Sequence, residues 1–321
     1  FISFAFFVSF FPQMVAGPIE RASNLLPQIL TRRVFKYEQG VQGLRLILWG
    51  LFKKVVIADS LGITVDKIFD SYQSLDGGVL FLGLFYFSFQ VYCDFSGYSD
   101  IAIGTSKLLG FELVSNFKFP YFSRNIGEFW RKWHISLSSW FKDYLYIPLG
   151  GSKHGKWKSI RNIMIIFLIS GLWHGSSWKF IMWGFIQSLF FLPSLLIRKK
   201  PNYQTDIVSE NNLFPSIKEL LQMGKTFLLF MIPLVFFRNE TFEDGVAYFI
   251  LMISKLSIPI DYNGGIIFVI ILLVIDWLIR KNERLSFPIS KFDYIILPIL
   301  GLVILEYLAF SSYSEYIYFQ F

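Results

Sequence analysis

The sequence predicts an all-α protein that crosses a membrane several times, and three observations carry that prediction. Of its 321 residues, 54% are hydrophobic and 17% are charged. Phe1 to Ile19, Asn162 to Trp178 and Phe180 to Ile197 contain no Asp, Glu, Lys or Arg, which makes runs of 17 to 19 residues. As helices, such runs are long enough to cross a hydrocarbon core of ~30 Å. No amphipathic pattern gives these runs the polar face that a soluble all-α protein with a Phe-rich core would need. Aromatics make up 20% of the chain, and Trp and Tyr sit mostly beside charged residues, as headgroup-level anchors do.

Taken in order, the first apolar segment runs into Pro12-Gln13-Met14-Val15-Ala16-Gly17-Pro18, where two prolines and a glycine end or break a helix. Phe1 follows no initiator Met and no basic n-region, so the segment reads as the interior of a longer protein, cut within a helix, and not as a signal peptide. Val41 to Gly62 is the next helix, with Arg45, Lys53 and Lys54 arguing against free exposure to lipid. Val79 to about Gly104 is a long helix carrying Asp94 and Asp100 in its second half; six residues apart, they read as ties to Arg or Lys of other helices.

Ile126, Trp130, Trp133, Leu137, Trp140 and Tyr144 follow at steps of four and three, one apolar stripe that predicts an amphipathic helix at the interface over Gly127 to Tyr144. Pro148-Leu149-Gly150-Gly151 turns the chain into a basic loop. Asn162 to Ile197 reads as two membrane segments with their turn near Gly175 to Lys179, and Arg198-Lys199-Lys200 returns the chain to the basic side. Residues 201–218 read as a polar loop. Further helices are expected around Thr226–Phe237, Gly264–Ile275 and Tyr294–Leu305. No internal repeat stands out, and residues 1–321 read as a single domain.

The formal net charge is +7, and the segment from Lys118 to Arg161 alone, with nine Lys or Arg against two Asp or Glu, carries a surplus of that size. The positive-inside rule directs this segment to the cytoplasm, and basic loops beside membrane helices account for it without nucleic acid. Cys93 is the only cysteine, which excludes an intramolecular disulfide, a CxxC redox pair and a thiolate cluster. Beside an apolar run, it reads as a buried bystander.

Three histidines remain: His134, His154 and His174. His154 lies among lysines and glycines and reads as a solvated loop residue. For a helix entering near Ile163, ~1.5 Å per residue puts His174 roughly 16 Å deep, where an ionisable side chain usually faces a cavity or pathway. Ser170 and Gly171 share its face and leave room either for a substrate channel or for a close neighbouring helix. The structural alternative is a neutral histidine hydrogen-bonded between helices. His134, on a face with Trp130 and Ser138, is either functional or an interfacial residue reaching to headgroups. No Cys, Asp or Glu stands at ligand spacing, so metal binding is not expected, and HExxH, GxSxG, the P-loop and GxGxxG are absent. A neutral imidazole acting as general base on a hydroxyl that attacks a thioester or ester fits these residues better.

Six blocks resemble the membrane-bound O-acyltransferase (MBOAT) family, in particular the membrane subunit of bacterial alginate O-acetylation systems. They are PQMVAGPIERASNLLPQI (12–29), YCDFSGYSDIAIG (92–104), NFKFPYFSRNIGEFWRKWHISLSSWFKDYLYIPLGG (116–151), GLWHGSSWKFIMWG (171–184), FFRNETFEDGVAYF (236–249) and IYFQF (317–321). They keep the family's order over nearly the whole chain.

The resemblance implies a ring of transmembrane helices, here without its first few, joining a cytoplasmic donor funnel to an extracytoplasmic acceptor side. It implies His174 as the catalytic histidine and His134 as its companion. It further implies a bacterial inner-membrane, multi-pass acyltransferase with no bound cofactor and acetyl-CoA or another activated acyl donor as cytoplasmic substrate. An extracytoplasmic acetyltransferase partner and an exported polysaccharide would complete the pathway. D-alanyl transfer to teichoic acid is the rival within the family, and a transporter or flippase without acyl chemistry the rival outside it.

Overall fold

The computed structural model describes residues 1–196, 207–282, 293–310 and 316–317. All regular structure among them is helical. In chain order the helices are α1 (Ile2–Ser9), α2 (Ala22–Leu30), α3 (Tyr37–Leu51), α4 (Asp59–Asp70), α5 (Gly77–Leu108), α6 (Ile126–Lys132) and α7 (Ile135–Phe141). They continue with α8 (Lys156–His174), α9 (Trp178–Leu196), α10 (Ile217–Met231), α11 (Leu234–Arg238), α12 (Phe242–Ser254), α13 (Ile266–Ile279) and α14 (Asp293–Phe310). Among the described residues, three stretches are long and apolar enough to cross a membrane: Gly77–Leu108, Trp178–Leu196 and Ile217–Arg238. Arg198-Lys199-Lys200, residues 201–206 of the expected 201–218 loop and the residues after Ile317 lie outside the described residues, and the end of that expected loop, Ile217-Lys218, is already helix.

The uncharged run at the start is not one helix. α1 ends at Ser9, and a short 3-10 turn, Phe11–Gln13, follows with Pro12 near its start, where the missing N–H is harmless. Gly17 is required there: a Cβ would strike the Pro12 carbonyl.

The chain divides into two compact units. One comprises Phe1–Leu61, Phe89–Lys118 and Ile267–Gln320. Within it, α3 and the second half of α5 pack backbone against backbone. A methyl on Gly50 would stand 2.5 Å from the Gly97 carbonyl, and one on Gly43 2.7 Å from the Gly104 carbonyl. Such contacts let helices approach closely in apolar surroundings, where small residues take the place of a hydrophobic driving force.

Past Leu51 the helix widens into a π turn, Phe52–Ala58, all of it buried. The turn delivers two consecutive lysines to the acidic half of α5. Lys53 Nζ lies 2.6 Å from Asp100 and Lys54 Nζ 2.7 Å from Asp94, the ties expected of both aspartates. Lys54 also reaches Asp59 at 2.8 Å. The second Asp94 oxygen accepts the Ile317 backbone N–H at 2.9 Å, and Tyr92 Oη donates to buried Asp276 at 2.9 Å. Cys93 is fully buried, as anticipated.

The other unit comprises Gly62–Ser88 and Phe119–Ile266. Its centre is the α8–α9 hairpin, which packs through Gly171 and Gly184; a Cβ on Gly171 would strike the Phe180 carbonyl, and one on Gly184 the Phe167 carbonyl. The small face beside His174 therefore admits the neighbouring helix. Phe129, Trp133 and Phe230 join α6 and α10, with ring centroids 4.4 Å (Phe129–Phe230) and 4.8 Å (Trp133–Phe230) apart. Gln187 Nε2 donates to the Phe230 carbonyl at 3.2 Å, and Tyr248 Oη donates to the Leu80 carbonyl at 2.7 Å, pinning α9 and α12.

The predicted amphipathic helix over Gly127 to Tyr144 is broken in the middle. α6 stops at Lys132, and His134 takes a left-handed backbone (φ 44°, ψ 56°) before α7 starts at Ile135. The apolar stripe is divided accordingly. Ile126, Trp133 and Leu137 are buried, while Trp140 and Tyr144 are exposed. Gly150 (φ 93°) and Gly151 (φ 54°) then form the turn into the basic loop, a conformation that favours glycine. His154 is exposed there, as expected, together with Lys153, Lys156 and Lys158.

Candidate active site

His174 is the nineteenth and last residue of α8. The helix starts at Lys156, seven residues before the entry point assumed from sequence, and His174 is its C-terminal residue. The imidazole is half-buried and meets three aromatic rings at nearly right angles. Centroid distances are 5.0 Å to Trp173, 5.1 Å to Phe237 and 5.3 Å to Trp183. Edge-to-face contacts of this kind favour a fixed ring orientation.

The three rings differ in exposure. Trp183 and Phe237 are buried and lie 5.6 Å from each other, whereas Trp173 is 48% exposed. The His174 ring is thus walled on one flank and open on the flank of Trp173.

His134 approaches the same open ring. Its imidazole lies 6.1 Å from Trp173, so that one indole touches both histidines. It stands between α6 and α7, outside the three candidate spans. Its backbone is in the left-handed region, uncommon for a residue with a side chain and costing on the order of 1–3 kcal/mol. Such strain is found where the surrounding structure enforces it, commonly at functional positions. Burial pushes the imidazole pKa down to about 3, and the nearby His174 adds to the shift. At neutral pH His134 is an uncharged imidazole.

An ionic clamp fixes α6, the helix that leads into His134. Asn125 caps the helix, accepting the Glu128 N–H at 2.9 Å. The buried Glu128 carboxylate accepts the Arg124 backbone N–H at 3.0 Å and Nε at 3.1 Å, and Lys132 Nζ at 2.7 Å. Burial acts to raise the Glu128 pKa, but the hydrogen bond from Arg124 and the charge of Lys132 outweigh it, leaving the carboxyl below its usual range. Phe237 is anchored likewise: Lys179 Nζ donates to the Asn239 carbonyl at 2.8 Å, and Asn239 Nδ2 donates to the Val235 carbonyl at 2.8 Å across α11.

Both histidines singled out from sequence therefore meet on one indole, and His154 stands in the exposed loop. Trp173, Trp183, Phe237 and the Glu128 clamp were not singled out. Trp173, Trp183 and Phe237 lie inside resemblance blocks, but nothing local distinguishes them from the chain's other aromatics. Among the described residues, no three His, Cys, Asp or Glu side chains gather as a metal site.

An uncharged base in aromatic surroundings, partly open and embedded in a helical membrane protein, is suited to taking a proton from a hydroxyl in a water-poor site. The chain belongs to the membrane-bound O-acyltransferase family, whose sequence pattern matches residues 1–232. It is 41% identical over 239 residues to the probable alginate O-acetylase AlgI of Pseudomonas syringae pv. tomato, covering 74% of this chain and 43% of that protein. It is 38% identical over 248 residues to the peptidoglycan O-acetyltransferase of Helicobacter pylori, covering 77% and 45%. Similarity to the teichoic acid D-alanyltransferase of Streptococcus thermophilus is lower, 30% over 215 residues, covering 62% and 52%. The chain spans about half the length of the curated relatives it matches.

Proposed function

We propose that this chain carries the histidine centre of a bacterial inner-membrane O-acetyltransferase that supplies acetyl groups for an exported polysaccharide. The observation that carries the reading is the meeting of His134 and His174 on the exposed Trp173 ring. Membership of the family and similarity to an alginate and a peptidoglycan O-acetylase support it. The two acceptors differ, so the class in common is a glycan hydroxyl.

His174 is the catalytic base. Its neutral imidazole takes the proton of the acceptor hydroxyl while that oxygen attacks the carbonyl carbon of an activated acyl donor. With a thioester donor such as acetyl-CoA, a C–O bond forms, the C–S bond breaks, and the departing thiolate takes the proton back from the imidazolium. His134 lines the same passage as an uncharged companion. The exposed Lys153, Lys156 and Lys158 face the cytoplasm, where the donor arrives. In this scheme the hydroxyl acylated at His174 belongs to an extracytoplasmic acetyltransferase partner, which then transfers the acetyl group to the glycan hydroxyl.

The test is His174→Ala in the full-length protein. General-base removal lowers acyl transfer on the order of 10²–10⁴-fold, with abundance in the membrane unchanged. Undiminished polymer acetylation by that variant would rule out the assignment. The second reading, D-alanyl transfer, is favoured by more distant relatives, at 28% and 30% identity. It is separated by assaying which acyl group the protein consumes.

A further inference from the structure

We propose that the buried pair Trp183 and Phe237 sets the acyl length this centre accepts, admitting a two-carbon acyl group and rejecting longer ones. The proposal rests on the acyl-transfer reading and goes beyond it by naming what limits the donor.

An acyl carbonyl attacked beside His174 has two other substituents to place, the leaving group and the acyl chain. The leaving group needs an exit, and the exposed Trp173 flank is open. The chain is left facing the other flank, and that flank is filled. Trp183 and Phe237 stand 5.3 Å and 5.1 Å from the imidazole and 5.6 Å from each other. Behind them Phe180 lies 5.1 Å from Phe237, and Trp130 6.1 Å from Trp183. All but Trp130 are buried residues.

The wall cannot swing away easily. Phe237 is in α11, fastened by Lys179 and Asn239, and Trp183 is on the α8–α9 hairpin locked by Gly171 and Gly184. A methyl group rests against these ring edges. Each further methylene must displace a close-packed ring.

The experiment uses full-length wild-type protein and its Phe237→Ala variant in liposomes. Acetyl-, propionyl- and butyryl-CoA are offered, and thiol release is followed. Wild type is expected to prefer acetyl, by the roughly 10–200-fold that one misfitting methylene commonly makes in kcat/KM. Phe237→Ala is expected to raise the butyryl-to-acetyl ratio of kcat/KM at least about 10-fold. Trp183→Phe, which keeps an aromatic ring and serves where the alanine variant fails to accumulate, raises it less.

A wild type that uses butyryl as readily as acetyl overturns the proposal, as does an unchanged ratio in the accumulating variants. The underlying reading fails separately: wild type releases no thiol from acetyl-CoA, or His174→Ala releases it at the wild-type rate.

Discussion

Around α3 and α5 the buried polar side chains are charged and matched, Lys53 to Asp100 and Lys54 to Asp94 and Asp59, at 2.6 to 2.8 Å. Around α8 and α9 the polar centre is two imidazoles, buried His134 and half-buried His174, set among Trp173, Trp183 and Phe237, rings that offer edges and faces in place of opposite charges. Both are polar groups in apolar interiors, yet they answer the same desolvation problem differently. A paired charge is held by its partner and is poorly placed to move a proton, because losing either charge strands the other. A neutral imidazole asks for no counter-ion and keeps a lone pair for chemistry. The first arrangement suits joining helices, and the second suits catalysis.

The comparison breaks most visibly if the lysines prove dispensable. Lys54→Met leaves Asp94 and Asp59 without their cation and should cost about 3–5 kcal/mol of stability, read as a lowered unfolding midpoint in detergent. Adding Asp94→Asn should recover part of that loss, since the charge is removed along with its partner. His174→Ala should do the reverse, abolishing turnover while the midpoint stays near wild type. A Lys54→Met protein as stable as wild type would remove the distinction.

A smaller effect tests how closely the charged unit is packed. Gly50→Ala puts a methyl 2.5 Å from the Gly97 carbonyl, and overpacking of this kind costs about 1–3 kcal/mol. The same midpoint measurement applies, and no loss would mean the helices can part without penalty.

The smallest effect sharpens the description of the imidazole side. The folded pKa of His134 is pushed from 6.5 to about 3, so between those values the unfolded chain binds more protons than the folded one. The stability tied to an uncharged His134 is complete above pH 6.5 and is lost as pH falls towards 3. His134→Gln should flatten the decline of the midpoint over that window. An equal slope in both proteins would contradict the burial assigned to His134.

Much of this was legible beforehand, unevenly. The α8–α9 hairpin and the long α5 follow from the lengths of apolar runs, a signal that needs no knowledge of neighbours. That Lys53 and Lys54 avoid lipid was readable from their charge, but not that a π turn points both at α5. The stripe from Ile126 to Tyr144 suggested one helix because periodicity reports side-chain order. It cannot register that His134 adopts φ 44°, a conformation enforced by contacts from elsewhere in the fold.

The start of the helix that carries His174 was misplaced for a related reason. Its helix extends back through Lys156 and Lys158, which hydropathy places in the loop. Charged residues at a helix end can reach water while their backbone stays helical.

By itself, the order of residues determined that this chain is helical and apolar enough for a membrane, and it singled out two of three histidines. The first conclusion and the choice of His174 rest on the cost of leaving backbone or ionisable groups in hydrocarbon, a cost paid segment by segment, whereas His134 was singled out by the family resemblance. Only the tertiary structure decided that the two imidazoles share Trp173, that buried rings close one flank of His174, and which aspartate each lysine meets. Those are distances between residues far apart in the chain, and close packing of whole helices sets them.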